Sequence, residues 1–483
     1  MPNIRIMNWN IEQFSWNKIR IGNMAAAIAH VIVSQNVDIV GIVELKTSFS
    51  REILNNLMAA LNARAAAVGG FGADAYTTAV MSAETGTDRY GFILKDPAVT
   101  EPIIRTAGPA APIRDITQHQ FQTMTGLGLA RGTAAAPVNI GPRGCPRIDL
   151  HVLEPASRAR EVKRPPSWAG QPLAGGQGMS LGRGFRHPCL CMFRLPTAAG
   201  QPVISLVPCH YGASKSLSSP QIQLLRYLHI AQLYKNINGS HIDLDGAAVR
   251  VENLIFTGDF NLDFLQYGNP HAVQIGVRIG YATLTDTLVG QGTGAAAAAA
   301  APPRGVAGGA LPLPATPALR KDQIDTHPYY FNAAQPNSAP LSLRAAVTNV
   351  GTILHHFHPP PTPPPADLAA LRSACFDNFF FGGTHLQPSF QMLAPPAHMP
   401  AVAHADCGLV VDVPAMIKRP GNPAAPGFDV RTIAAAYLPN TKAVGYAPRL
   451  RGAGAPGLTM NDRLIGARLL SDHLPVVVQF NIL

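Results

Sequence analysis

Apolar, strand-like segments that hand over to polar or charged residues stand at both extremes of this 483-residue chain, and they limit its folding more than any other feature. Ile4-Arg5-Ile6-Met7-Asn8-Trp9-Asn10-Ile11 alternates as a strand does, and Leu474-Pro475-Val476-Val477-Val478 forms another near the end. Between them, Val37-Asp38-Ile39-Val40-Gly41-Ile42-Val43 reads as a buried strand. Residues 17–35 carry apolar positions at helical spacing (Ile21, Met24, Ala25, Ile28, Ile32), and a second helix is expected from Arg51 to Ala65. Further strands are expected at Tyr90–Leu94, Cys189–Phe193, Val203–Val207, Leu254–Thr257, Phe376–Phe381 and Leu474–Phe480, with a helix over Ser219–Asn236. Polar groups of chemical interest sit at both ends. They must meet to act together, so the core cannot be confined to either half of the chain.

The segments between differ in composition. Residues 97–182, 290–365 and 385–465 are rich in Ala, Pro and Gly and show little periodicity; Ala295–Ala301 is an unbroken alanine run and Pro359–Pro365 is nearly all proline. The expectation is one α/β domain over residues 1–483 with three long irregular insertions. His355-His356-Phe357-His358 is expected to be a solvated loop rather than a metal site. Hydrophobic residues make up 47% and charged residues 14%, which excludes a wholly disordered chain. The six cysteines form no CxxC pair and no disulfide framework, and Cys189 and Cys191 read as small core residues on one face of a strand. No apolar signal core precedes the first strand and no membrane span is evident, so the expected location is cytoplasmic, or outside the cell by a route without a signal peptide.

The chemistry lies where strands end. Glu44 follows Ile39–Val43. Asp259 and Asn261 follow Leu254–Gly258, and their i, i+2 spacing puts both on one side of an extended segment. Gly258 permits close backbone approach there. Asp472 and His473 precede the last strand. A lone carboxylate at a strand end is commonly a solvated cap, but several in one chain point to a hard-cation site of carboxylate and amide oxygens.

Asn8-Trp9-Asn10-Ile11, Val43-Glu44, Thr257-Gly258-Asp259-Phe260-Asn261 and Ser471-Asp472-His473-Leu474-Pro475-Val476 resemble, in order, the signature segments of the endonuclease/exonuclease/phosphatase superfamily. The resemblance implies a two-sheet α/β sandwich flanked by helices, deoxyribonuclease-I-like, with the active site at one edge. Within the superfamily, the pancreatic-type deoxyribonucleases and their bacterial relatives are the most similar. They match Asp88-Arg89-Tyr90, Arg186-His187-Pro188, His210 after Leu206-Val207-Pro208-Cys209, and Asp377 in Cys375-Phe376-Asp377-Asn378-Phe379. Such relatives usually carry Glu at the position of Asp88. About half of the chain is covered; the Ala/Pro/Gly-rich regions have no counterpart in the family.

This resemblance implies a role for each residue. Glu44 would be the main ligand of a Mg2+ ion (Mn2+ or Ca2+ being alternatives), with Asn10, Asp259, Asn261 and Asp472 completing the metal and phosphate shell. His473, oriented by Asp377, would be the base that activates water. His210, paired with Asp88, would be the acid for the leaving group. In some members the base role falls to the residue matching Asp259, and both assignments stand. Arg89, Tyr90 and Arg186 would contact substrate. The expected substrate is nucleic acid, with DNA first and a lipid or small-molecule phosphodiester as the alternative. Lys and Arg outnumber Asp and Glu by 38 to 28, and from Arg131 to Arg194 ten Lys and Arg face three acids, a surplus of seven that suits a phosphate backbone.

Overall fold

A computed structural model of the chain describes residues 3–69, 75–82, 88–95, 190–194, 203–211, 251–261, 376–381, 408–422, 427–438, 446–452 and 457–482, with short β-segments between them. The principal strands are β1 (Asn3–Phe14), β2 (Ile39–Lys46), β3 (Tyr76–Met81), β4 (Asp88–Lys95), β5 (Cys191–Arg194), β6 (Val203–His210), β7 (Leu254–Asp259), β8 (Asp377–Phe381), β9 (Gly408–Val410) and β10 (Val476–Ile482). The helices are α1 (Trp16–Ile19), α2 (Met24–Ser34), α3 (Ser50–Val68), α4 (Val413–Met416), α5 (Arg431–Tyr437), α6 (Ala447–Arg451) and α7 (Met460–Leu470).

The first sheet runs β9-β10-β1-β2-β4-β3, with short segments added at its edges. β1 lies at its centre because both of its faces are apolar: Ile4, Ile6, Met7, Trp9 and Ile11 are all buried. It pairs in parallel with β2 and antiparallel with β10, so the two ends of the chain are hydrogen-bonded neighbours. Arg5, a charge in the first half of β1, is held by Gln479 Oε1 (2.7 Å from Nη2) and by the carbonyl of Gln35 (2.8 Å from Nη1). The second sheet runs β8-β7-β6-β5, with β6 and β7 parallel and the other neighbours antiparallel. The two sheets face each other through aromatic pairs. Phe381 of β8 meets Phe480 of β10 edge to face at 4.8 Å, and Phe92 of β4 meets Phe193 of β5 at 5.6 Å. Each such pair contributes about 0.5–1.5 kcal/mol beyond its area burial. Two mixed sheets flanked by helices is the architecture expected from the sequence.

Helix α3 buries Ile53, Leu54, Leu57, Leu61 and Ala65, the i, i+3, i+4 stripe of an amphipathic helix. The single helix expected over 17–35 is two helices. Gly22 (φ +53°) breaks it, and a Cβ there would stand 2.5 Å from Thr432 Oγ1. Asn23 then donates from Nδ2 to the carbonyl of Asp429, fastening the break to the segment before α5.

Residues 385–465, expected to be an irregular insertion, include regular elements in their described part. This stretch contains β9, α4, α5, α6 and the start of α7, which bury Val413, Met416, Ile417, Ile433, Ala434, Leu450 and Leu464 in the common core. Local caps set its helices: Asp412 Oδ1 accepts from Ala415 N, and Thr459 and Asp462 form a reciprocal capping box. Helices α4, α5 and α6 are only 4, 7 and 5 residues long, too short for a hydrophobic period to show in the sequence. Short β-segments also occur in the two earlier regions. Ile113–Asp115 extends the first sheet beside β3, and Glu101–Pro102 and Arg344–Ala345 flank the second. The expected helix 219–236, the alanine and proline tracts, His355–His358, Cys189 and Arg186 lie outside the described residues. Cys191 and Cys209 are buried.

Candidate active site

Strand register brings the functional residues to one level. In the second sheet His210 of β6 is the Cα partner of Asp259 of β7, which is in turn the partner of Asp377 of β8. The close approach of β6 and β7 there requires glycine before Asp259. Gly258 has φ +145°, and a Cβ would fall 1.9 Å from the carbonyl oxygen of Cys209.

In the first sheet the ladder is interrupted at the same edge. The register of β1 against β2 shifts between Asn10 and Phe14, and that of β2 against β4 shifts between Ile42 and Leu45. Bulges of this kind re-aim side chains. Here Glu44 sits in the left-handed region (φ +63°), as does Gln13 (φ +50°). The Gln13 N–H donates to Glu44 Oε2 at 2.8 Å, and Asn10 Nδ2 donates to Glu44 Oε1 at 3.2 Å.

Asp259 Oδ2 is the hub where the two sheets meet. It accepts from Asn10 Nδ2 at 3.1 Å and lies 3.7 Å from both His210 Nε2 and His473 Nε2. His210 Nε2 is also 3.7 Å from Glu44 Oε1. Asp259 Oδ1 accepts the N–H of Asn261, whose Nδ2 donates to the carbonyl of Tyr211. His473 Nδ1 lies 2.7 Å from Asp377 Oδ2, a carboxylate with no solvent exposure. Helix α7 delivers Asp472 and His473, and Ser471 locks them in place. Its Oγ donates to the Asn10 carbonyl at 2.7 Å and accepts from His473 N at 3.0 Å, while Trp9 Nε1 donates to the His473 carbonyl. Asp472 lies nearer the surface, with Oδ2 3.9 Å from Arg468 Nη1 and Oδ1 3.8 Å from His473 Nε2.

These contacts set the charges. Burial pushes the Asp259 carboxyl up, and the neighbouring Asp377 and Glu44 carboxylates add to this against the opposing pull of His473 and the Asn261 N–H. Burial would raise Glu44 too, but His210, the Gln13 N–H, Asn10 and His473 together bring it below its ordinary value. For His473, burial works against the imidazolium, and Asp377, Asp259 and Asp472 outweigh it and hold the ring above its usual value.

Asn10, Glu44, His210, Asp259, Asn261, Asp377, Asp472 and His473 are thus brought together. Asp88 is buried on β4 as the partner of Lys46, whose ammonium it binds at 2.7 Å. Arg89 Nη1 donates to the Ser82 carbonyl, and Tyr90 is 1% exposed, in the core. Three groups near the site were missed by the sequence reading. Glu12 stands two residues after Asn10, the same spacing that singled out Asp259 and Asn261. Burial and the Asp472 carboxylate raise its carboxyl. Lys18 is 8% exposed and is pushed down to about 8 by burial. Arg468 lies one turn before Asp472. No local pattern marks either cation. Together with Glu12, Tyr437 and the apolar Leu438, Ile465 and Leu469 they line a cavity of about 220 Å³.

The oxygens present suit a hard divalent cation. Asn10 Oδ1 and Asp472 Oδ1 are buried with no hydrogen-bond partner among the described residues; the Asn10 amide lies beside the Glu44 and Asp259 carboxylates, and Asp472 Oδ1 lies 3.8 Å from His473 Nε2. Among the described residues no three His, Cys, Asp or Glu side chains form a cage by themselves. A magnesium-type ion does not require one, since it keeps several waters and takes one or two carboxylates. The donor set therefore fits.

No family model matches this chain, and no curated protein matches it. Solved structures similar to it include a humanized D. rerio TDP2, with 11% identity over 99% of each chain and a TM-score of 0.33. ANGEL2, described as a 2′,3′-cyclic phosphatase, shows 13% identity over 100% of this chain and 96% of its own, with a TM-score of 0.36. An endonuclease/exonuclease/phosphatase family protein from Bacteroides thetaiotaomicron shows 10% identity over 99% of this chain and 94% of its own, also with a TM-score of 0.36. Among the described residues no helix is long and apolar enough to cross a membrane.

Proposed function

We propose that this chain is a divalent-metal-dependent phosphodiester hydrolase of the endonuclease/exonuclease/phosphatase superfamily, acting on nucleic acid and on DNA first. The observation that carries the proposal is the convergence of Asn10, His210 and His473 on one carboxylate, Asp259, with Glu44 held beside Asn10 and His210 and Asp377 bonded to His473, from positions spread over nearly the whole chain.

In this reading Nδ1–H of His473 donates a hydrogen bond to Asp377, which fixes the tautomer and leaves Nε2 as the base. A water oxygen attacks phosphorus, its proton passes to His473 Nε2, the P–O bond to the leaving group breaks, and His210 Nε2 protonates the departing oxygen. Asn10 ties Glu44 to Asp259, and the backbone N–H of Asn261 steadies Asp259 from the other side. Glu44, Asp259 and the Asn10 amide oxygen would hold Mg2+, with Asp472 at the rim. A cation there would neutralise charge on the phosphoryl oxygens and offset the carboxylate field that keeps His473 protonated. Arg89 and Arg186 are the proposed phosphate contacts, while Asp88, expected to pair with His210, is bound to Lys46 and leaves Glu44 and Asp259 as the carboxylates beside His210. The basic surplus of residues 131–194 favours nucleic acid over lipid.

The test is incubation of the purified chain with supercoiled plasmid, linear DNA, RNA and a lipid phosphodiester, with Mg2+ and with chelator. Metal-dependent nicking of plasmid is expected. Hydrolysis of the lipid with intact nucleic acids would replace the substrate assignment, and no hydrolysis of any phosphodiester would remove the reading.

A further inference from the structure

One peptide group joins Lys18 to Glu44. The carbonyl oxygen of Glu12 accepts from Lys18 Nζ at 2.6 Å, and the N–H of Gln13, which belongs to the same planar peptide, donates to Glu44 Oε2 at 2.8 Å. We propose that Lys18 is a positioning residue for cation binding, acting through the Glu12–Gln13 peptide to aim and polarise the N–H that fixes the Glu44 carboxylate.

Three features of the chain support this. The peptide is turned toward Glu44 while Gln13 adopts φ +50°, a left-handed conformation that is disfavoured for an L-residue and needs external bonds to persist. The segment is the bulge of β1 that interrupts its pairing with β2, so the sheet ladder does not hold it. Lys18 is itself fixed. Its N–H is capped by Ser15 Oγ at 3.2 Å at the start of α1, and its side chain is almost wholly buried. An ammonium on the carbonyl end of a peptide strengthens the hydrogen bond made at the N–H end, by about 10–30% per bond in a chain of this kind. A buried lysine is costly unless it satisfies something. Here it holds the peptide whose N–H donates to Glu44 Oε2.

The inference rests on Glu44 being a metal ligand, and the experiment separates the two claims. Mn2+ affinity is measured by titration calorimetry, without substrate, on the wild type, Glu44→Gln, Lys18→Met and Lys18→Arg, each checked for folding by circular dichroism and thermal midpoint. Wild type should bind Mn2+ and Glu44→Gln should lose it. Lys18→Met should bind about 10–100-fold more weakly, the usual penalty for losing a group that orients a metal ligand. Lys18→Arg, whose larger head the adjoining cavity can admit, should keep most of the affinity. Unchanged affinity in folded Lys18→Met would overturn the proposal. So would tighter binding, which would mean that the ammonium acts only as a like charge. If Lys18→Met does not fold, Lys18→Gln carries the same comparison. Failure of the wild type to bind Mn2+ would overturn the metal reading as well.

Discussion

Replacing Asp377 by Asn removes one charge and almost no volume from a fully buried position, 2.7 Å from His473 Nδ1. The gross attraction between unit charges at that separation is about 6 kcal/mol at an effective dielectric constant of about 20. Desolvation cancels much of it, and a hydrogen bond to a charged group contributes a net of about 1.5–3 kcal/mol. A loss of about 2 kcal/mol of folding stability is therefore expected wherever His473 is protonated. The folded-state value of His473 is pushed up to about 10 from an ordinary 6.5, with burial opposing and Asp377 leading the groups that raise it. A raised value means that the stabilisation is fully present below the unfolded value, near pH 6.5, and is lost as pH rises through the folded value. Guanidinium unfolding with chelator present, near pH 6 and near pH 10 (about half a unit below the ordinary value and about level with the raised one), should show the Asp377→Asn deficit at the first and little of it at the second. Turnover near neutral pH should fall about 30-fold, the kinetic equivalent of about 2 kcal/mol. An equal deficit at both pH values, or none at either, would refute the claim that the Asp377 charge supports a protonated His473.

Glu44→Gln should keep the wild-type unfolding midpoint and lose most metal-dependent hydrolysis, and full activity of that variant in excess chelator would remove the metal assignment. His210→Ala and His473→Ala should each lower turnover by about a hundredfold or more, with the double variant little worse than either, because both act in one transition state. Gly258→Ala should cost about 3 kcal/mol or more by chemical denaturation, since its Cβ has no room beside Cys209 and φ is +145°; a change below about 1 kcal/mol would mean that β6 and β7 can move apart. Neutralising Arg158, Arg160, Lys163 and Arg164 together should weaken DNA binding for all sequences and flatten the log-log salt dependence by about one unit per lost phosphate contact. Filter binding with chelator measures that slope, and an unchanged slope would assign these residues to solubility or packing.

The sequence by itself determined the strands of both sheet centres and the chemical endings they carry. Glu44, Asp259, Asn261, Asp472 and His473 could be read because each follows or precedes an apolar run, and such a run fixes both the strand and the end at which its polar neighbour emerges. The alternation of residues 4–11 likewise implied a strand that must meet the end of the chain, as β1 and β10 do. Helices of 4, 7 and 5 residues were not legible, because so short a run shows no hydrophobic period. α4 to α6 bury alanine, proline and isolated larger side chains against partners that only the fold supplies. The break at Gly22 depends on Thr432, more than four hundred residues away. Lys18 illustrates the limit most clearly. Nothing in Trp16–Ile19 distinguishes it from a surface lysine, and its importance arises because a bulge in β1 turns one peptide so that its oxygen meets Nζ and its N–H meets Glu44. Local sequence sets which segments are strands and where charges end them. Backbone direction within a bulge, and which distant carboxylate it addresses, is decided only when the two sheets close on each other.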